Sequence, residues 1–181
     1  MTERCVALLR GINVGKAKRV AMRDLRDLVG QLGFRDVTTL LNSGNVVFTA
    51  PRAGQARAAA ARIEQAVTQQ LGIRSRVTVL SAADIATIVA ENTLGHVADN
   101  PSRLLVTVLS HPGDRVKLEP LSKRSWAPSV LAVGSRAAYA WCPDGVLASE
   151  LTEAMGRILG DGATTRNWGT VTKLHALLGA A

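Results

Sequence analysis

"QLGFRDVTTLLNSGNVVFTA", residues 31–50, decides the fold. Gly33 stops a helix whose apolar positions Met22, Leu25, Leu28, Val29 and Leu32 recur at helical spacing, and Phe34 is placed to pack back on the last turn. "DVTTLL" and "NVVFTA" then form two β-branched runs around the tight turn Asn42, Ser43, Gly44, which is a hairpin signature. Outward from this core, "CVALLRG" (5–11) reads as a continuous apolar strand ahead of the helix. The alanine-rich stretch from Gln55 to Leu71 is a strong helix former, and a strand begins at Val77. The order βαββαβ is the split-βαβ, ferredoxin-like arrangement, in which two helices cover one face of a four-stranded antiparallel sheet.

The pattern recurs. "QLGI" (70–73) echoes "QLGF" (31–34), and each precedes a strand, at Val77 and Val37. "SAADIATIVAEN" opens with a capping box from Ser81 to Asp84 and sets Ile85, Ile88 and Val89 on one face, a further helix. After the polar, turn-rich stretch 92–102 the chain restarts with the strand "RLLVTVLS" (103–110) and a proline-containing segment that reaches Pro128. "VLAVGSRAAYAWC" then gives two strands around Gly134 and Ser135. Leu151, Met155, Ile158 and Leu159 mark a helix closed by Gly160. The short "ATT" at 163–165 offers the closing strand, and Trp168, Val171, Leu174 and Leu178 stripe a last helix. The expected fold class is α+β, with two ferredoxin-like halves built on antiparallel sheets, the second less regular. The expected organisation is 1–91 with a trailing helix, a connecting loop 92–102, and 103–181.

With 181 residues, 47% of them hydrophobic, the chain has enough apolar side chain to fold. Aromatics are only 3%, so the core is aliphatic and a base-stacking surface is disfavoured. The formal charge is +8, and residues 1–26 hold seven basic residues against Glu3 and Asp24. Such a local excess favours polyanionic partners. No run approaches a membrane span, and Arg10 breaks the only apolar stretch near the amino end, so the expected location is cytoplasmic with no membrane partner. Cys5 and Cys142 have no close-spaced companion and read as buried structural thiols. His96, His111 and His175 are equally scattered, so no metal site is expected and no cofactor is indicated.

Three polar segments stand out. "RGINVGKAKRV" (10–20) looks like a phosphate loop but is not a nucleotide-hydrolysis motif. Only three residues separate Gly11 from Gly15, and Ala17 stands where a magnesium-binding Ser or Thr belongs. Its glycines still allow backbone amides to turn inward as an anion nest, with Arg10, Lys16, Lys18 and Arg19 adding charge. The plainer reading is a strand-to-helix connection with solvated lysines. "TTRNW" (164–168) supplies the cap-type residues Thr164, Thr165 and Asn167 ahead of the last helix, where the dipole favours an anion. Arg166 in that first turn would oppose the dipole unless an anion or carboxylate sat beside it. "NSGN" (42–45) lacks the flanking glycines of a nucleophile elbow, so Ser43 is a turn residue or polar contact.

The blocks "VALLRGINVG" (6–15), "LGFRDVTTLLNSGNVVF" (32–48), "RLLVTVL" (103–109) and "ATTRNWGTVTKL" (163–174) resemble the bacterial domain-of-unknown-function family numbered 1697 over nearly the full length. The resemblance implies a duplicated ferredoxin-like fold and transfers no mechanism. It implies recurrence of Arg10, Gly11, Asn13, Gly15, Ser43, Gly44, Asn45, Thr165, Arg166, Asn167 and Trp168. Lys16 stands where the family usually has a second glycine, and Asn42 where it has glutamine. The leading expectation is a binding protein for a phosphate-bearing ligand, nucleic acid or nucleotide, in a polar cleft. Its anion-binding set is Arg10, Gly11, Asn13, Gly15, Lys16, Ser43, Gly44, Asn45, Thr165, Arg166 and Asn167. The alternatives are an enzyme acting on a small phosphorylated metabolite, and a non-catalytic scaffold or interaction domain. The letters decide neither whether the protein is an enzyme nor its oligomeric state.

Overall fold

The computed structural model describes residues 2–15, 19–51 and 55–179. Two compact units emerge, Met1–Ala83 with Leu174–Ala181, and Asp84–Lys173. The first carries β1 (Glu3–Leu9), α1 (Met22–Gln31), β2 (Arg35–Leu40), β3 (Asn45–Ala50), α2 (Gln55–Leu71) and β4 (Val77–Ser81). Its sheet is antiparallel in the order β2-β3-β1-β4, the ferredoxin-like arrangement. Cys5 pairs with Phe48 and Ala7 with Val46, and these residues with Leu9 face the helices, where Leu25, Leu28, Val29, Ile63 and Val67 close the core. On the opposite sheet face Val6, Leu8, Val47 and Leu80 are buried too. That two-sided burial is why β1 and β3 read as unbroken apolar runs rather than as alternating ones.

The second unit repeats the plan. After α3 (Ala82–Ala90) come β5 (Leu104–Leu109), a 3₁₀ stretch (Pro112–Leu118) leading into α4 (Glu119–Ser122), β6 (Val130–Val133), β7 (Ala137–Trp141), α5 (Glu150–Leu159) and β8 (Ala163–Asn167). The antiparallel order β6-β7-β5-β8 matches the first sheet strand for strand, so both halves are ferredoxin-like. Leu109, Leu118, Ala138, Ala140, Leu151, Met155 and Leu159 build its core. Most of α3 lies within this unit, where the Tyr139 hydroxyl donates to Ile88 O at 2.6 Å. Glu91 Oε2 accepts from Ser135 N at 2.7 Å and from Ser135 Oγ at 3.0 Å, holding the β6–β7 turn. The last helix, α6 (Trp168–Gly179), runs from the second unit into the segment that belongs with the first.

Candidate functional site

In the first unit β1 ends at the basic loop, and the β2–β3 turn meets it there, with Leu9 N donating to Gly44 O at 2.9 Å. Arg10 is tied by its backbone to the start of β4. Its N–H donates to Arg76 O, and its carbonyl accepts from Ser75 Oγ, both at 2.9 Å. Beyond it φ is positive at Gly11 (68°), Asn13 (54°) and Gly15 (61°), every second residue, while Ile12 and Val14 are not left-handed. Left-handed residues at alternate positions are one half of the backbone pattern of an anion nest. Gly11, Val14 and Gly15 are exposed.

Asn13 closes the loop. Its Nδ2 donates to Val20 O at 2.9 Å and to Asn42 O at 2.7 Å, and its Oδ1 accepts from Val20 N at 2.8 Å. Both amide protons of the side chain are thereby used, so Asn13 acts on the loop as a brace. The clasp brings the two ends of the segment 14–19 together just ahead of α1. Lys16, which the sequence singles out, lies with its neighbours 17 and 18 outside the described residues. The helix that follows has Ala21 at its N-cap with no side-chain capping bond, and its ten residues leave the first-turn amides without that partner.

The hairpin turn is held from within. Buried Asn45 donates through Nδ2 to Leu40 O at 2.9 Å and to Ser43 Oγ at 3.0 Å. Gly44, at φ 81°, sits so close to the loop that a Cβ there would lie 2.7 Å from Ile12 Cδ1. Segments 10–15 and 42–45 are thus neighbours in one unit. Asn13 links them, and although Val20 and Asn42 stand in segments that the sequence singles out, their bonds to Asn13 were not legible there. A signal was present, since Gly-Ile-Asn-Val-Gly puts a residue tolerant of left-handed backbone at every second place.

The third segment belongs to the second unit and differs from its expected form. Arg166 does not stand in a helical turn. It is part of β8, paired with Val106 and only 9% exposed, with Nη1 donating to Thr165 O at 2.9 Å. Burial brings its guanidinium down to about 10. Asn167 is the cap of α6, its Oδ1 accepting from Thr170 N at 2.8 Å and Thr170 Oγ1 at 2.9 Å. The Thr165 hydroxyl pairs with that of Thr107 at 3.0 Å. Cys5 and Cys142 are buried and unbridged. Among the described residues no group of three or more metal-ligating side chains occurs, and no helix is long and apolar enough to cross a membrane.

A family model described as "Protein of unknown function (DUF1697)" matches residues 1–139. Among solved structures, a conserved bacterial protein from Streptococcus pneumoniae is similar over 98% of this chain and 99% of its own, with a TM-score of 0.79 at 21% identity. At that identity the likeness concerns the fold. No curated protein matches the chain.

Proposed function

The chain belongs to the DUF1697 family of proteins of unknown function, a membership that brings no activity with it, and we propose that it binds a phosphate-bearing ligand at the loop between β1 and α1. The observation that carries this reading is the set of left-handed residues at 11, 13 and 15, in a strand-to-helix connection where Gly11, Val14 and Gly15 are exposed and whose base Asn13 clasps. Two further facts support it. Among the described residues the α1 N-cap, Ala21, makes no side-chain capping bond, and the amino end of a helix favours an anion. Lys16, Lys18 and Arg19 fall within the same short loop. Phosphate recognition by backbone amides needs neither a nucleophile nor a metal.

The test is a titration of the full-length protein with a short labelled oligonucleotide, with AMP and inorganic phosphate as competitors. Lys16→Ala and Arg19→Ala each weaken binding roughly tenfold, the scale of one lost charged hydrogen bond. The salt dependence separates the ligand classes. A steep slope, losing orders of magnitude over a few-fold rise in salt, marks a nucleic acid contacted at many phosphates, and a shallow one marks a single phosphate. Binding that ignores both substitutions, or no competition by any phosphate, refutes the proposal.

A further inference from the structure

The register of the first sheet places three polar residues in one row at the end remote from the 10–19 loop. Arg4 pairs with Thr49, and Thr49 pairs with Arg35 across β1, β3 and β2. Their neighbours Cys5 and Phe48 face the helices, so this row occupies the opposite sheet face. With strands about 4.8 Å apart, the two arginine Cα atoms stand roughly 10 Å from each other with the threonine between them. Among the described residues neither guanidinium has a hydrogen bond or an ion pair, and Arg4 Nε is sealed from solvent without an acceptor. A buried donor left in this state calls for a missing acceptor. The carboxylates nearest in sequence do not supply one. Glu3 pairs with Ala50, in the helix-facing row, and Asp36 forms no ion pair among the described residues.

We infer that Arg4, Thr49 and Arg35 form an oxyanion site for a tetrahedral phosphate. Arg4 is half-buried and Thr49 buried, which lowers the local dielectric, while Arg35 is exposed on the edge strand β2 and leaves a way in. The bulge that follows Arg35, where Asp36 takes φ 51°, turns the edge strand at this point. An anion above Thr49 accepts from the Arg4 and Arg35 guanidinium groups and from the threonine hydroxyl. Two guanidinium groups balance the charge of a phosphate dianion. The site is independent of the β1–α1 loop, because β1 separates Arg4 from Arg10 along its whole length.

NMR titration of the full-length protein reads the site directly, with inorganic phosphate and glycerol phosphate as parallel arms. The Arg4 Nε–Hε signal and the Thr49 amide follow one saturable isotherm, and the ratio of the two arms tells whether a free ion or a phosphomonoester is preferred. Arg4→Lys and Arg35→Lys keep the charge but lose the planar fork, and each weakens binding tenfold or more. Arg19→Ala leaves this isotherm unchanged. An Arg4 signal that stays still, shifts that rise linearly at every arginine, or wild-type affinity in a well-folded Arg4→Lys protein overturns the assignment.

Discussion

Asn13 braces the loop through three side-chain hydrogen bonds. Replacing it by alanine strips the partner from Val20 N, Val20 O and Asn42 O at once, and its φ of 54° suits alanine less well than asparagine. Urea unfolding of Asn13→Ala should show a loss of about 1–3 kcal/mol, with faster proteolysis of the segment 14–19. The glycines divide on a different physical ground. At Gly44 an added Cβ meets Ile12 Cδ1 at 2.7 Å and Leu9 Cβ at 2.9 Å, at φ 81°. At Gly11 it meets nothing within 4 Å, and only the φ of 68° is unfavourable. Gly44→Ala therefore costs backbone strain plus about 1–3 kcal/mol of overpacking, whereas Gly11→Ala costs about 1 kcal/mol. Equal melting temperatures for the two would contradict this. The turn at Gly44 was legible in the letters, since turns are local chemistry. The approach of Ile12 was not, because it joins residues that only the sheet register brings together.

Elements with strong local preference were legible to the residue. The helix expected over Gln55 to Leu71 is α2 with those bounds, because its alanine run needs little tertiary help. The stretch 111–128 resisted reading because Pro112 and Pro120 each start a new short turn, and the helical signal never builds over two turns. Nor do the letters of α3 tell where it packs, since the bonds Tyr139 to Ile88 and Ser135 to Glu91 span more than forty residues. That anchoring has a measurable titration. Tyr139 is the only tyrosine, and burial first, then the nearby Glu91 charge, raises its phenol above the ordinary value of 10.0. Above pH 10.0 the unfolded chain releases this proton and the folded one keeps it. Stability from this group is thus complete below that pH and falls as pH rises beyond it. Denaturant melts on either side of pH 10.0 should show stability changing less favourably with rising pH in the wild type than in Tyr139→Phe, with the phenolate absorbance appearing only as the protein unfolds. Tyr139→Phe loses about 1 kcal/mol at neutral pH with the Ile88 bond and removes this group's share of the alkaline pH dependence, leaving the opposite contribution of Arg166, which burial brings down to about 10. A phenolate that forms in the folded protein below the unfolding transition would refute the account.

At the scale of the molecule, the two halves build sheets of the same strand order, β2-β3-β1-β4 and β6-β7-β5-β8. Topology was legible because a hairpin between two helices leaves few ways to complete a four-stranded sheet. The destination of the chain end was not, because α6 carries one amphipathic stripe whose letters do not say which unit each part serves. Up to Lys173 the helix counts with the second unit, and from Leu174 the chain counts with the first. Leu174 is fully buried and Leu178 is 4% exposed, so a chain ended at Lys173 loses two core leucines at about 1.5–3 kcal/mol each. In a protein of this size each kcal/mol moves the melting temperature by about 2–4 °C, so the truncated chain should melt roughly 10 °C lower. Hydrogen exchange locates the effect. Amides of β1–β4 lose protection first, although the cut lies almost a hundred residues beyond β4 in sequence. The full-length double variant Leu174→Ala/Leu178→Ala should reproduce most of the shift, which separates lost side-chain burial from lost helix ends. Unchanged protection in β1–β4 of the truncated chain would mean that the first unit closes its core without the carboxyl-terminal turns.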